Sequence, residues 1–187
     1  MNDIRKLTGI GIFTAIVIVL QLLGSFVRFG PFSISLVLIP IVVGAALYGP
    51  FAGAWLGFVF GMVVLLSGDA APFMAVNVFG TIATVLLKGM LAGLFSGLVY
   101  RLFRNRKTLS VILAALVCPL ANTGIFLLGC LLFFMPTLAQ WAQALGFEGT
   151  MHYVFTGMIG VNFLFELFTN VVLSPVIIRV IDMGKRQ

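Results

Sequence analysis

Six apolar stretches, near residues 7–24, 33–48, 50–67, 78–100, 109–135 and 153–180, take up most of this chain and decide what it can fold into. A helix that crosses a bilayer needs about 20 predominantly apolar residues. Inside hydrocarbon it must satisfy every backbone polar group internally. Of the 187 residues, 61% are hydrophobic and 9% charged, with mean hydropathy +1.22. A soluble domain keeps roughly a quarter of its residues charged. The expected fold is therefore an all-α membrane protein, one bundle of six transmembrane helices over residues 1–187. The many glycines fit close helix packing in such a bundle.

The connections support the same division. Tyr48-Gly49-Pro50 joins the second and third stretches by a tight turn, with proline closing one helix and opening the next. The connector at 68–77 is polar, and the one at 136–152 is longer and amphipathic, with Trp141 in it. Arg5 and Lys6 precede the first stretch in the manner of a signal peptide, but the apolar run to Gly24 is long and no cleavage site follows, so it reads as the first span.

Orientation follows from lysine and arginine. With six spans, nine of the eleven basic residues (Arg5, Lys6, Arg101, Arg104, Arg106, Lys107, Arg179, Lys185 and Arg186) fall on the side that holds both termini. That side is expected to be cytoplasmic, in the plasma membrane of a bacterial-type cell. The net charge of +6 is thus explained by position at a bilayer, and nucleic acid is not an expected partner.

Several chemistries are absent. There is no phosphate-binding GxxxxGK[ST] loop, HExxH or GxSxG motif, and one histidine, His152, leaves little for a membrane hydrolase. Cys118 and Cys130 lie twelve residues apart in one apolar stretch. They sit about 18 Å apart along a helix, and read as packing residues. No catalytic residue, metal or cofactor is expected.

What remains to explain is polar matter inside the spans. Lys88 and Glu166 lie at matching depth, about 17–20 Å inward, where a charge costs about 2.5–3.5 kcal/mol. Asn77, Thr81, Thr84 and Lys88 share one face of the fourth span, as do Asn162, Glu166 and Asn170 of the sixth. Asn122 reaches mid-depth on the fifth, and Gln21 lies nearer the outer side of the first. These stripes form either interhelical glue around a Lys88–Glu166 pair or a cavity for a polar organic ligand, opening toward loops that carry Asp69, Trp141, Glu148 and His152. Glycines spaced by four on the third span (53, 57, 61) and the fourth (89, 93, 97) suit packing within the chain; Gly11 and Ala15 offer a shorter small-residue face to another protein.

The six-span layout, the Gly11/Ala15 start, the hairpin IPIVVGAALYGPFAGAWLGFVFG (39–61) and the basic loop RLFRNRK (101–107) resemble the substrate-binding S components of energy-coupling factor (ECF) transporters. The resemblance implies high-affinity capture of a vitamin or similar micronutrient outside the cell. It also implies delivery to a transmembrane T component, contacted through Gly11 and Ala15, and to two cytoplasmic ATPases. Ligand would be bound by the last three helices and the outer loops, hence by Arg28, Asp69, Asn77, Thr81, Thr84, Lys88, Asn122, Trp141, Asn162, Glu166 and Asn170. The hairpin looks closest to the pantothenate-type and riboflavin-type branches. The acidic residue before the hairpin proline and the Lys-Asn pair usual in the riboflavin branch are replaced here by Leu38-Ile39 and Val63-Val64. A carboxylate ligand such as pantothenate would take Lys88 or Arg28 as counter-ion. Two other readings remain at this point: a self-sufficient secondary transporter using Lys88 and Glu166 as a proton site, and a structural membrane protein whose stripes are glue.

Overall fold

The computed structural model describes residues 3–25, 28–29, 32–33 and 36–186; for 28–29, 32–33, 161–162 and 185–186 it describes the backbone alone. The described chain is almost wholly helical. Four helical segments are long and apolar enough to cross a membrane: Asp3–Ser25, Val78–Leu102, Lys107–Ala144 and Thr150–Val172. Two shorter apolar helices, Leu38–Tyr48 and Pro50–Leu66, complete the bundle.

The first helix, α1 (Asp3–Ser25), is followed by a two-residue antiparallel pairing of Arg28–Phe29 with Phe32–Ser33. That pairing corrects the expected second span. Its ladder takes Ser33 from the start of that stretch, and α2 begins only at Leu38 and ends at Tyr48. Its 11 residues rise about 17 Å, too few to cross a bilayer on their own. The turn that follows is as the sequence indicates. Gly49 adopts φ +100°, a left-handed conformation that glycine tolerates without strain, and Pro50 opens α3 (Pro50–Leu66) at its first turn.

A short turn of helix, α4 (Ala71–Met74), leads to α5 (Val78–Leu102). Then α6 (Lys107–Phe133) runs through Pro119 and passes almost without interruption into α7 (Met135–Ala144). Thus the amphipathic connector is largely helix. The sixth apolar stretch is not one helix. It starts with α8 (Thr150–His152), passes through a π-helical segment at Tyr153–Gly160, continues as α9 (Val161–Val172), and breaks at Leu173 before α10 (Ser174–Arg186). Pro175 explains the break, since it has no N–H to donate and crowds the preceding turn. Beyond it, Ile177 and Ile181 turn inward and are buried in the main core with Leu38, Ile41 and Leu56.

The tightest contact in the bundle is between α3 and α5, and glycine makes it. A Cβ at Gly57 would lie 1.9 Å from the Gly89 carbonyl oxygen, and one at Gly93 2.0 Å from that of Gly53. Farther along, a Cβ at Gly61 would meet the Val85 oxygen at 2.8 Å, and one at Gly97 the Pro50 Cα at 2.6 Å. The two glycine rows therefore face each other, and backbone lies directly on backbone. Gly11, by contrast, has no neighbour within 4 Å of an added Cβ, and both Gly11 and Ala15 are exposed. Gly57→Ala is expected to destabilise the protein by about 1–3 kcal/mol or prevent its accumulation, as overpacking does, while Gly11→Ala leaves thermal unfolding in detergent unchanged. Equal melting of Gly57→Ala and wild type would refute the backbone-contact assignment.

Candidate ligand-binding site

The polar residues of the bundle fall into three groups. In the middle, Lys88 on α5 extends its ammonium between two aromatic rings, 5.1 Å from the centroid of Phe126 on α6 and 5.7 Å from that of Phe60 on α3. The negative faces of the rings attract the cation. Lys88 is half-buried and, among the described residues, forms no direct ion pair. The carboxylates whose charge acts on it are Glu166 and, more weakly, Asp69.

Beside Lys88, α6 presents Phe126, and Cys118 and Asn122 share its face at four-residue spacing. That face lies between α5 and α9. On α9, Glu166 and Asn170 are buried, and the Asn170 amide donates to the Glu166 carbonyl at 2.8 Å. On α5, Thr84 is buried against Gly129, where an added Cβ would lie 2.2 Å from the Thr84 hydroxyl. Thr84 Oγ1, Asn122 Oδ1 and Asn170 Oδ1 are buried with no hydrogen-bond partner among the described residues. A buried polar atom left so costs about 1–3 kcal/mol. Helix glue would pair such atoms across the interface. These three are instead poised to accept from something else.

The second group is a clasp. One carboxylate oxygen of Asp69, Oδ2, accepts from Gln21 Nε2 at 3.0 Å, from Ser25 Oγ at 2.6 Å and from Ser67 Oγ at 3.1 Å. It ties the end of α1 to the end of α3. Gln21 is only 2% exposed, and the charge-assisted bond accounts for a glutamine buried in an apolar helix.

Above Lys88 lies the third group, an aromatic cluster. Phe73 of α4 meets Phe126 at 5.7 Å, Phe134 at 5.1 Å and Trp141 of α7 at 5.6 Å, all edge-on. Phe126 thus joins two environments, the ammonium below and the aromatic cover above.

Set against the sequence, these positions redistribute the roles. Thr84, Lys88, Asn122, Glu166 and Asn170 belong to the central group. Asn77 is instead a helix cap, its side chain accepting from the Gly80 N–H at 2.8 Å at the start of α5, and Thr81 donates to the Asn77 carbonyl at 2.7 Å. Asp69 is engaged in the clasp and Trp141 in the cover. The side chains of Arg28 and Asn162 lie outside the described residues. Glu148 and His152 are exposed, the His152 ring against Phe147 at 5.5 Å. Phe60 and Phe126 are the site residues that sequence reasoning missed; among 19 phenylalanines nothing in the sequence marks the two that face a cation.

Comparison with known proteins adds an independent line. The model of the ECF transporter substrate-specific component family matches residues 5–178. The chain is 28% identical over 197 aligned residues, 95% of its own length and 94% of the relative's, to the pantothenic acid transporter PanT of Lactococcus lactis subsp. cremoris (strain MG1363). No solved structure matches.

The clasp can be tested separately from ligand. Asp69→Ala leaves Gln21 buried without its partner and is expected to lower stability by about 1–3 kcal/mol, read as thermal unfolding of the detergent-solubilised chain; Gln21→Ala in the Asp69→Ala background should then cost little more. Additive losses would show that the two residues do not act together.

Proposed function

The chain belongs to the substrate-specific component family of ECF transporters, and we propose that within it this protein captures pantothenate, or a vitamin-like acid of similar size, for ATP-driven import. One observation carries the reading: an ammonium held between two aromatic rings inside the bundle, with no ion pair among the described residues, on a helix that faces buried polar atoms left without partners among those residues. Pantothenate has one carboxylate, one amide and two hydroxyls. Its carboxylate would replace water on Lys88, and a charge-assisted bond in a low-dielectric site is stronger than its neutral equivalent. Thr84, Asn122 and Asn170 would take the hydroxyls and amide, with Glu166 accepting from a hydroxyl. Phe60 and Phe126 would pack the methyl-bearing stem. The 28%-identical pantothenic acid transporter supports the choice of acid.

The rest of the reading concerns the path and the power. Six membrane passages with both termini in the cytoplasm of a bacterial-type cell would place the Asp69 clasp and the Trp141 cover on the outside. Ligand then enters past Trp141, with Arg28, Asn162, Thr81 and Asn77 along or beside the approach. Binding alone moves nothing across the membrane; the exposed small-residue face of α1 at Gly11 and Ala15 would dock the T component, and two cytoplasmic ATPases would drive release.

Lys88→Met keeps the apolar stem and removes the charge. Loss of a charged hydrogen bond is worth about 1.5–3 kcal/mol, so binding of labelled pantothenate to the purified chain should weaken about 10–100-fold. Unchanged pantothenate affinity in Lys88→Met removes Lys88 from the site. A large fall in melting temperature with intact affinity would instead favour the structural reading of the polar stripes.

A further inference from the structure

The opposite end of the bundle holds a cavity with different chemistry. It has a volume of about 560 Å³ and is lined by the α2–α3 turn, Tyr48-Gly49-Pro50, and by Gly97, Tyr100, Arg101 and Arg104 around the end of α5. Local sequence makes the space. Gly49 is in the left-handed region at φ +100°, with nothing within 4 Å of an added Cβ, and Gly97 lies directly on Pro50. Tyr48 is held as a fixed wall, since its ring fills the notch left by Gly9 and meets Phe13 edge-on at 6.0 Å.

The charge at this end is unevenly satisfied. Lys107 is in an ion pair with Asp182. Arg101 and Arg104 are exposed, and neither forms an ion pair among the described residues. Two guanidinium forks converging on one cavity are suited to a phosphate group, which they grip in a planar, bidentate manner. Below them the lining changes. Ala45, Ala46 and Leu47 continue the wall along α2 toward the middle of the bundle, and they are apolar. Guanidiniums at the mouth and hydrocarbon beneath form an amphiphilic order that a free inorganic ion has no use for. Basic pockets between membrane helices are sites where anionic headgroups bind.

We propose that this cavity is a binding site for an anionic glycerophospholipid, with its phosphodiester between Arg101 and Arg104 and the root of its acyl chains along Ala45, Ala46 and Leu47. The lipid would sit against the Tyr48-Gly49-Pro50 turn and brace the glycine-packed α3–α5 pair at its end. This assignment is independent of the identity of the cargo.

The test is native mass spectrometry of the full-length chain in detergent, titrated with dioleoylphosphatidylglycerol, dioleoylphosphatidylcholine or inorganic phosphate. The phosphatidylglycerol adduct should be retained at least about tenfold better than phosphatidylcholine, and an Arg101→Gln/Arg104→Gln variant should lose about tenfold or more, the worth of one charge-assisted bond. Arg179→Gln, which removes an exposed arginine of α10 outside the cavity lining, should retain the lipid within about twofold on the same scale. Wild-type circular dichroism and elution are required of each variant, and the single Arg104→Gln substitution, in the loop beyond α5, replaces the double one if that fails to fold. Three results would overturn the proposal. They are equal retention by the arginine variants, an equal loss in Arg179→Gln (diffuse charge attraction), and displacement of the lipid by millimolar inorganic phosphate (a free-anion site).

Discussion

Where α3 crosses α5, two backbones touch, and the setting of Lys88 follows from that contact. Gly57 and Gly89 place their peptide planes against each other with no room for a Cβ on either. Close approach gives membrane helices their packing energy, because lipid offers no hydrophobic gain for bringing helices together. It also sets register. Phe60 lies one turn beyond Gly57 and near Gly89, and Lys88 precedes Gly89, so the crossing itself puts the aromatic ring beside the ammonium. A helix pair separated by larger side chains would slide or rotate, and the cation would lose its ring.

A polar interior maintained in this way is costly. Thr84, Asn122 and Asn170 each keep a buried atom without a partner among the described residues, and Lys88 has aromatic faces where an ion pair would be the cheaper arrangement. Proteins retain such arrangements mainly at functional sites. In the proposed role, the ligand is the missing partner. Its binding energy then includes recovery of the penalties of those unpaired atoms. The clasp at Asp69 differs: there two donors from α1, Gln21 and Ser25, and Ser67 just beyond α3 converge on one carboxylate oxygen, although Gln21 Oε1 is buried without a partner among the described residues. In the proposed role the first site admits a ligand, while the second ties α1 to the end of α3.

Much of this was legible in the sequence. Apolar length, the Tyr48-Gly49-Pro50 turn and the two glycine rows follow from rules that act over a few residues, and the rows meet as their spacing implied. The stripe on the sixth stretch also singled out Glu166 and Asn170, and both are buried. Other features depend on tertiary geometry that periodicity does not encode. Asn77 lies on the same face as Lys88, yet it caps the helix because it happens to be the residue at which α5 begins. Asp69 looked available in a polar connector, and only the approach of α1 shows that Gln21 and Ser25 reach it. Pro175 was visible, but whether a proline kinks or ends a membrane helix depends on what packs beside it. The pairing of Arg28–Phe29 with Phe32–Ser33, which shortens α2, carries no signal stronger than the apolar run around it.

The central claim is that the core around Lys88 is a binding site and not a structural network. Its most direct test is to purify the chain from cells grown in rich medium, denature it, and identify the released small molecules by mass spectrometry. The account predicts one carboxylate-bearing vitamin, pantothenate first, near one mole per mole of protein and absent from the Lys88→Met variant prepared in parallel. Protein that releases no such molecule, and that gains no thermal stability when saturating pantothenate or another vitamin acid is added back, would contradict it.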